Sequence, residues 1–158
     1  MSANEVFVSL DFTEADEGWG VTKFNSVEKA VLNVADGGTV RVAAGIYDEK
    51  IAIDGSTLSA DKAFSLVGEK DAAGNLLTTF TGELVLGSYH RSPVPELNLQ
   101  KGIDITDIAF APAGDTAIDL SSIYSLNISG CEFTGDATGK DQLITARAGS
   151  NVGGIAVD

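Results

Sequence analysis

Apolar and polar residues alternate along this chain over short stretches, and only once do apolar residues fall at helical spacing. Val6, Val8 and Leu10 lie on one face of a period-two pattern over residues 5–10, which predicts a strand. An acidic loop over 11–17 leads to Gly18-Trp19-Gly20. From Ser26, a suitable N-cap, Val27, Ala30, Val31 and Val34 recur on one side of a predicted helix, which Asp36-Gly37-Gly38 is expected to stop. Val40 and Val42 alternate, Ala43-Ala44-Gly45 turns, and Ile51 and Ile53 alternate again. Downstream strand cores are short: 64–67, 84–86, 103–105, 117–120, 126–128, 143–144 and 155–157. Gly, Asp, Asn, Ser and Thr between them supply turn chemistry.

The segment Ile103 to Phe110 repeats as Leu126 to Phe133, 23 residues later. Ile105 matches Ile128 and Phe110 matches Phe133; Asp104 and Asn127, Thr106 and Ser129, and Ile108 and Cys131 are alike in character. A similar short strand follows each copy, near Ala117 to Leu120 and Leu143 to Ala146. A period in the twenties built from short strands marks a solenoid, in which neighbouring repeats bury an apolar face that one repeat cannot bury alone. The expectation is an all-β chain in which Ile105, Ile108 and Phe110 stack on Ile128, Cys131 and Phe133. The amphipathic helix is expected to cap the N-terminal end. No matching cap appears at the C-terminal end, so the strand at 155–157 is expected to offer an open edge, either within a longer solenoid or to another chain.

At 158 residues the chain is read as one domain, with strand, loop and capping helix over 1–38 and coils over 39–158. With 10 Lys+Arg against 23 Asp+Glu the net charge is −13, which argues against nucleic acid and anionic lipid as partners. A 44% hydrophobic content is too high for a disordered acidic chain. No stretch is long and apolar enough to cross a bilayer, and the opening residues have no signal-peptide pattern. Cys131, the single cysteine, cannot form an internal disulfide and reads as a small buried apolar residue. His90, the single histidine, lies in a polar stretch over 88–101 and reads as an exposed loop residue.

Residues 24–31, 36–42 and 45–51 together resemble the N-terminal module of right-handed parallel β-helix proteins, the pectin lyase-like and pectin methylesterase-like superfamily. The opening, through Gly18-Trp19-Gly20-Val21, is most similar to β-helix domains near the start of bacterial surface and adhesin-like proteins. The resemblance implies a single-stranded right-handed parallel β-helix with an N-terminal capping helix. It implies no catalytic residue: Thr116-Ala117 stands where the esterases carry Gln-Ala, and Phe133-Thr134-Gly135-Asp136 where they carry Phe-Gln-Asp-Thr.

Asp115, Asp119, Asp136 and Asp141 are weak candidate Ca²⁺ ligands, but turn-forming Asp is the reading their spacing favours, and no cofactor is expected. Trp19, Tyr89 and Tyr124 are candidate glycan contacts, although Trp19 is expected to pack under the cap. The functional expectation is a non-enzymatic extracellular or cell-surface module, a rigid structural, adhesin or assembly unit that self-associates end to end. A carbohydrate-active enzyme relative or a glycan-binding module, with host or cell-wall glycan as partner, is the alternative.

Overall fold

The computed structural model describes residues 2–88, 100–135, 143–146 and 154–158. It is mostly β, with three parallel sheets. Sheet 1 contains, in spatial order, β15 (Ile155–Val157), β12 (Leu126–Ser129), β9 (Ile103–Thr106), β6 (Phe64–Val67), β3 (Gly38–Val42), β1 (Glu5–Val8) and β2 (Lys23–Phe24). Sheet 2 contains β13 (Glu132–Phe133), β10 (Ala109–Phe110), β7 (Thr78–Phe80) and β4 (Gly45–Tyr47). Sheet 3 contains β14 (Ile144–Ala146), β11 (Ile118–Ser121), β8 (Leu84–Gly87) and β5 (Ile51–Ile53). From β3 onward the chain visits sheets 1, 2 and 3 in turn, and each strand pairs in parallel with the strand three places along.

The register places like side chains in columns. Val6, Val40, Leu66, Ile105 and Ile128 are successive partners in sheet 1, and all five are buried. Ile51, Leu84 and Ile118 do the same in sheet 3. Sheet 2 carries an aromatic column. Tyr47 meets Phe80 edge-on at 5.9 Å between ring centres, Phe80 meets Phe110 edge-on at 5.6 Å, and Phe110 stacks on Phe133 at 4.9 Å with a 9° interplanar angle. Such pairs add about 0.5–1.5 kcal/mol each beyond the area they bury.

The 23-residue repeat is carried by this register: Ile103 pairs with Leu126, Ile105 with Ile128 and Phe110 with Phe133. Directly after β9 and β12 the chain turns at Asp107 (φ 58°) and Gly130 (φ 63°), both left-handed. Asp tolerates that conformation better than most residues, whereas Gly130 has a second constraint. A Cβ at Gly130 would lie 2.5 Å from Asp107 Oδ1. Lys70 holds the Asp107 carboxylate at 3.2 Å.

Two expectations shift by a turn. Leu10, predicted on the buried face with Val6 and Val8, is 52% exposed, because the chain leaves β1 after Val8 and turns, with Phe12 N–H donating to Ser9 O at 3.2 Å. The helix, α1 (Val27–Asn33), ends before Val34. Val34 is extended (φ −65°, ψ 151°) and inserts its branched side chain into the core as the chain heads for β3. Ser26 is the N-cap as read, accepting the Lys29 N–H at 3.3 Å, and Val27, Ala30 and Val31 are buried.

Replacing Phe110 by Ala should cost about 3–5 kcal/mol in unfolding free energy. The same change at Phe133, half-buried at the column's end, should cost about 1–2 kcal/mol. Urea titration followed by circular dichroism measures both.

Candidate functional site

The two ends of the strand stack differ in chemistry. At the first end, α1 lies against β5, β1, β2 and β3. Its Glu28 serves the sheet it covers: Oε1 accepts the N–H of Ala52, in the edge strand β5, at 2.8 Å. Glu49 returns the contact, accepting Val27 N–H at 2.5 Å and the Ser26 hydroxyl at 2.8 Å. The helix has no basic residue in its last turn. Lys62 arrives instead from the loop before β6, donating to the carbonyls of Val31, Leu32 and Val34 at 3.0, 3.0 and 2.7 Å. These are among the carbonyls that a helix end leaves without partners, and an ammonium suits the negative end of the helix dipole. Burial lowers the Lys62 pKa below the ordinary lysine value, opposed by the charge of Asp36. Asp36 is held below the usual carboxylate range by its contact with Lys101 and by the Ala63 N–H.

At the other end β13, β14 and β15 are the last strands of their sheets. Ile155 and Val157, which continue the apolar columns of sheet 1 through Leu126 and Ile128, are 44% and 61% exposed. Phe133 and Ile144 are half-buried.

A polar cleft of about 240 Å³ opens beside sheet 3, lined by Thr81, Glu83, Gly114, Asp115 and Thr116. Backbone bonds fix its walls: Thr81 N–H donates to Tyr47 O at 2.9 Å and Ala113 N–H to Thr81 O at 3.0 Å. Lys50 Nζ sits 3.2 Å from Glu83 Oε2. The carboxylates of Glu83 and Asp115 and the hydroxyls of Thr81 and Thr116 line it and offer hydrogen bonds to a hydroxylated ligand.

Of the candidate calcium ligands, Asp115 is exposed at this cleft. Asp119 is half-buried and accepts the Thr145 hydroxyl at 3.5 Å, while Asp136 and Asp141 lie outside the described residues. Among the described residues no group of three His, Cys, Asp or Glu is placed to hold a metal ion. Of the aromatic candidates, Trp19 is half-buried in a turn that bridges to Lys23, and it is not among the side chains packed on the core as expected of it. Tyr124 is 64% exposed just before β12. Five strand steps separate β2 from β12, about 24 Å, so Trp19 and Tyr124 form no common platform. Tyr89 and His90 lie outside the described residues. Cys131 is half-buried, not fully buried as expected; its thiol points at Ile105 O, 3.7 Å away, and burial raises its pKa.

β7 and the cleft beside it fall outside the strand cores predicted from the sequence. The signal was present in Phe80-Thr81-Gly82, which matches Phe133-Thr134-Gly135. Among the described residues no helix is long and apolar enough to cross a membrane.

Lys62→Ala should lower stability by about 1–3 kcal/mol at neutral pH by leaving helix carbonyls without their donor. Because the folded pKa of Lys62 lies below its unfolded value, the folded state binds fewer protons between the two. Wild-type stability from this group therefore rises with pH across that window, and the gap to Lys62→Ala should widen there in urea titrations. Cys131 should react with a disulfide reagent at neutral pH about tenfold more slowly than a free thiol, and as fast once urea unfolds the chain.

No family model, curated protein or solved structure matches this chain.

Proposed function

We propose that the chain is a right-handed parallel β-helix related to the pectin lyase-like superfamily, and a non-enzymatic extracellular module of a bacterial surface or secreted protein. Its role is a rigid structural, adhesin or assembly unit. The observation that carries this reading is the cyclic pairing, in which strands of all three sheets bond to the strand three places along with core residues in register. Parallel crossovers are right-handed in about 98% of cases, which supplies the hand. A stack bonded at three sheets resists bending, and a net charge of −13 keeps such rods soluble and apart along their sides. The resemblance adds support, since residues 24–51 fall on β2, α1, β3, β4 and the start of β5 in the order that family uses.

Assembly proceeds through β13, β14 and β15, whose outer edges bear exposed Ile155 and Val157, while α1 blocks the other end. Light scattering on a sizing column should show mass rising with concentration, and Val157→Lys should abolish the rise. A monomer at every concentration would remove end-to-end association from the proposal.

The polar cleft favours a second reading, a glycan-binding or carbohydrate-active relative. Methylated and unmethylated pectins, each with and without Ca²⁺, should give neither methanol nor an ultraviolet-absorbing product. Either product would replace the scaffold with an enzyme. A glycan array compared with Asp115→Ala separates binding at the cleft from binding elsewhere.

A further inference from the structure

The outward face of sheet 1 carries two rows that run across its strands. One is polar through Glu5, Thr39, Ser65, Asp104 and Asn127. The other reads Lys23, Phe7, Arg41, Val67, Thr106 and Ser129. Two large apolar residues, Phe7 and Val67, stand in this second row, and cations flank them: Lys23 pairs with Phe7, and Arg41 with both. Phe7, Val8, Phe12, Arg41, Val67 and Glu69 line a groove of about 300 Å³ over this spot. The Lys23 ammonium lies 5.3 Å from the centre of the Phe12 ring. Glu69 is turned to the backbone, its Oε2 accepting Ala44 N–H at 2.8 Å. Arg41 donates from Nε to Glu5. A guanidinium has five N–H donors, so one such contact does not exhaust it.

We propose that this groove binds a small organic anion, a carboxylate on a compact apolar body. The body lies among Phe7, Phe12 and Val67 and the carboxylate meets Arg41, with Lys23 adding a second positive charge. The volume is at the lower end of small-molecule pockets, which excludes a helix or an oligosaccharide. A hydroxylated ligand finds few partners in a wall made mainly of carbon. A cationic ligand meets Lys23 and Arg41. On a chain of net charge −13 an anion is held only where cations are concentrated, and two of the ten Lys+Arg residues flank Phe7 on one row. Glu5 then acts as a competitor that the ligand displaces or shares. The inference is independent of the scaffold reading.

The test is NMR titration of the whole chain with benzoate, with uncharged benzamide and with benzylamine. Benzoate should shift the amides of Phe7, Ala43 and Gly68 saturably, with a Kd of about 1–10 mM. Benzamide should bind about fivefold more weakly or worse. Glu5→Gln, which removes the competing carboxylate, should tighten benzoate by about two- to fivefold. Arg41→Gln should erase the preference for benzoate over benzamide. Val67→Trp, which fills the groove without changing charge, should remove both. The proposal is overturned if benzamide or benzylamine binds as tightly as benzoate, if Glu5→Gln leaves benzoate affinity unchanged, or if no saturable shift localises to these amides. Each variant is compared only with an amide spectrum that retains the wild-type dispersion, and Glu5→Gln, an exposed change, decides the matter if Arg41→Gln fails to fold.

Discussion

Register holds this molecule together. A strand of three or four residues has too few hydrogen bonds and too little apolar surface to persist alone. Here each inward side chain gains its cover from the residue at the same position one circuit away, so Leu66 needs Val40 on one side and Ile105 on the other. A slip of one residue would turn an entire inward set outward and expose it to water. The turn after β9 and β12 guards against that slip. Asp107 and Gly130 take the same left-handed conformation one above the other, and a Cβ at Gly130 would force the Asp107 carboxylate to shift, on top of the strain a side chain meets at φ 63°.

This dependence explains which parts could be read from residues alone. The stretch from Ile103 to Phe133 was legible because no insertion falls between its matching strands, so identical side chains recur at a constant interval. Earlier circuits obey the same physics, but loops of unequal length hide it. Phe64 pairs with both Gly38 and Ile103, and no fixed interval links the three. The aromatic column was half visible for the same reason: Phe110 and Phe133 belong to the repeat, whereas Tyr47 and Phe80 sit in strands of three residues with little alternation of their own. The helix was legible from capping and spacing. Its boundary was not, because Val34 suits either state until the core claims it.

Sites were less legible than fold. The polar cleft draws Thr81 and Glu83 from one circuit and Asp115 and Thr116 from the next, and the groove on sheet 1 gathers three strands and a loop. Neither leaves a local motif, because proximity across circuits is set by the stacking and not by sequence neighbours. The aromatic candidates illustrate the converse. Trp19 and Tyr124 are both candidate glycan contacts in the sequence, yet the strand order holds them far apart.

The sealed end has a mechanical consequence. In a stack coupled only between neighbours, disorder spreads from wherever the last unit has the fewest partners. Glu28, Glu49 and Lys62 pin the helix side with charge-assisted bonds, whereas among the described residues β15 pairs with β12 and with no other strand. The helix side is therefore the better-fastened part of the described stack, as a zipper is held at the end where a stop is sewn.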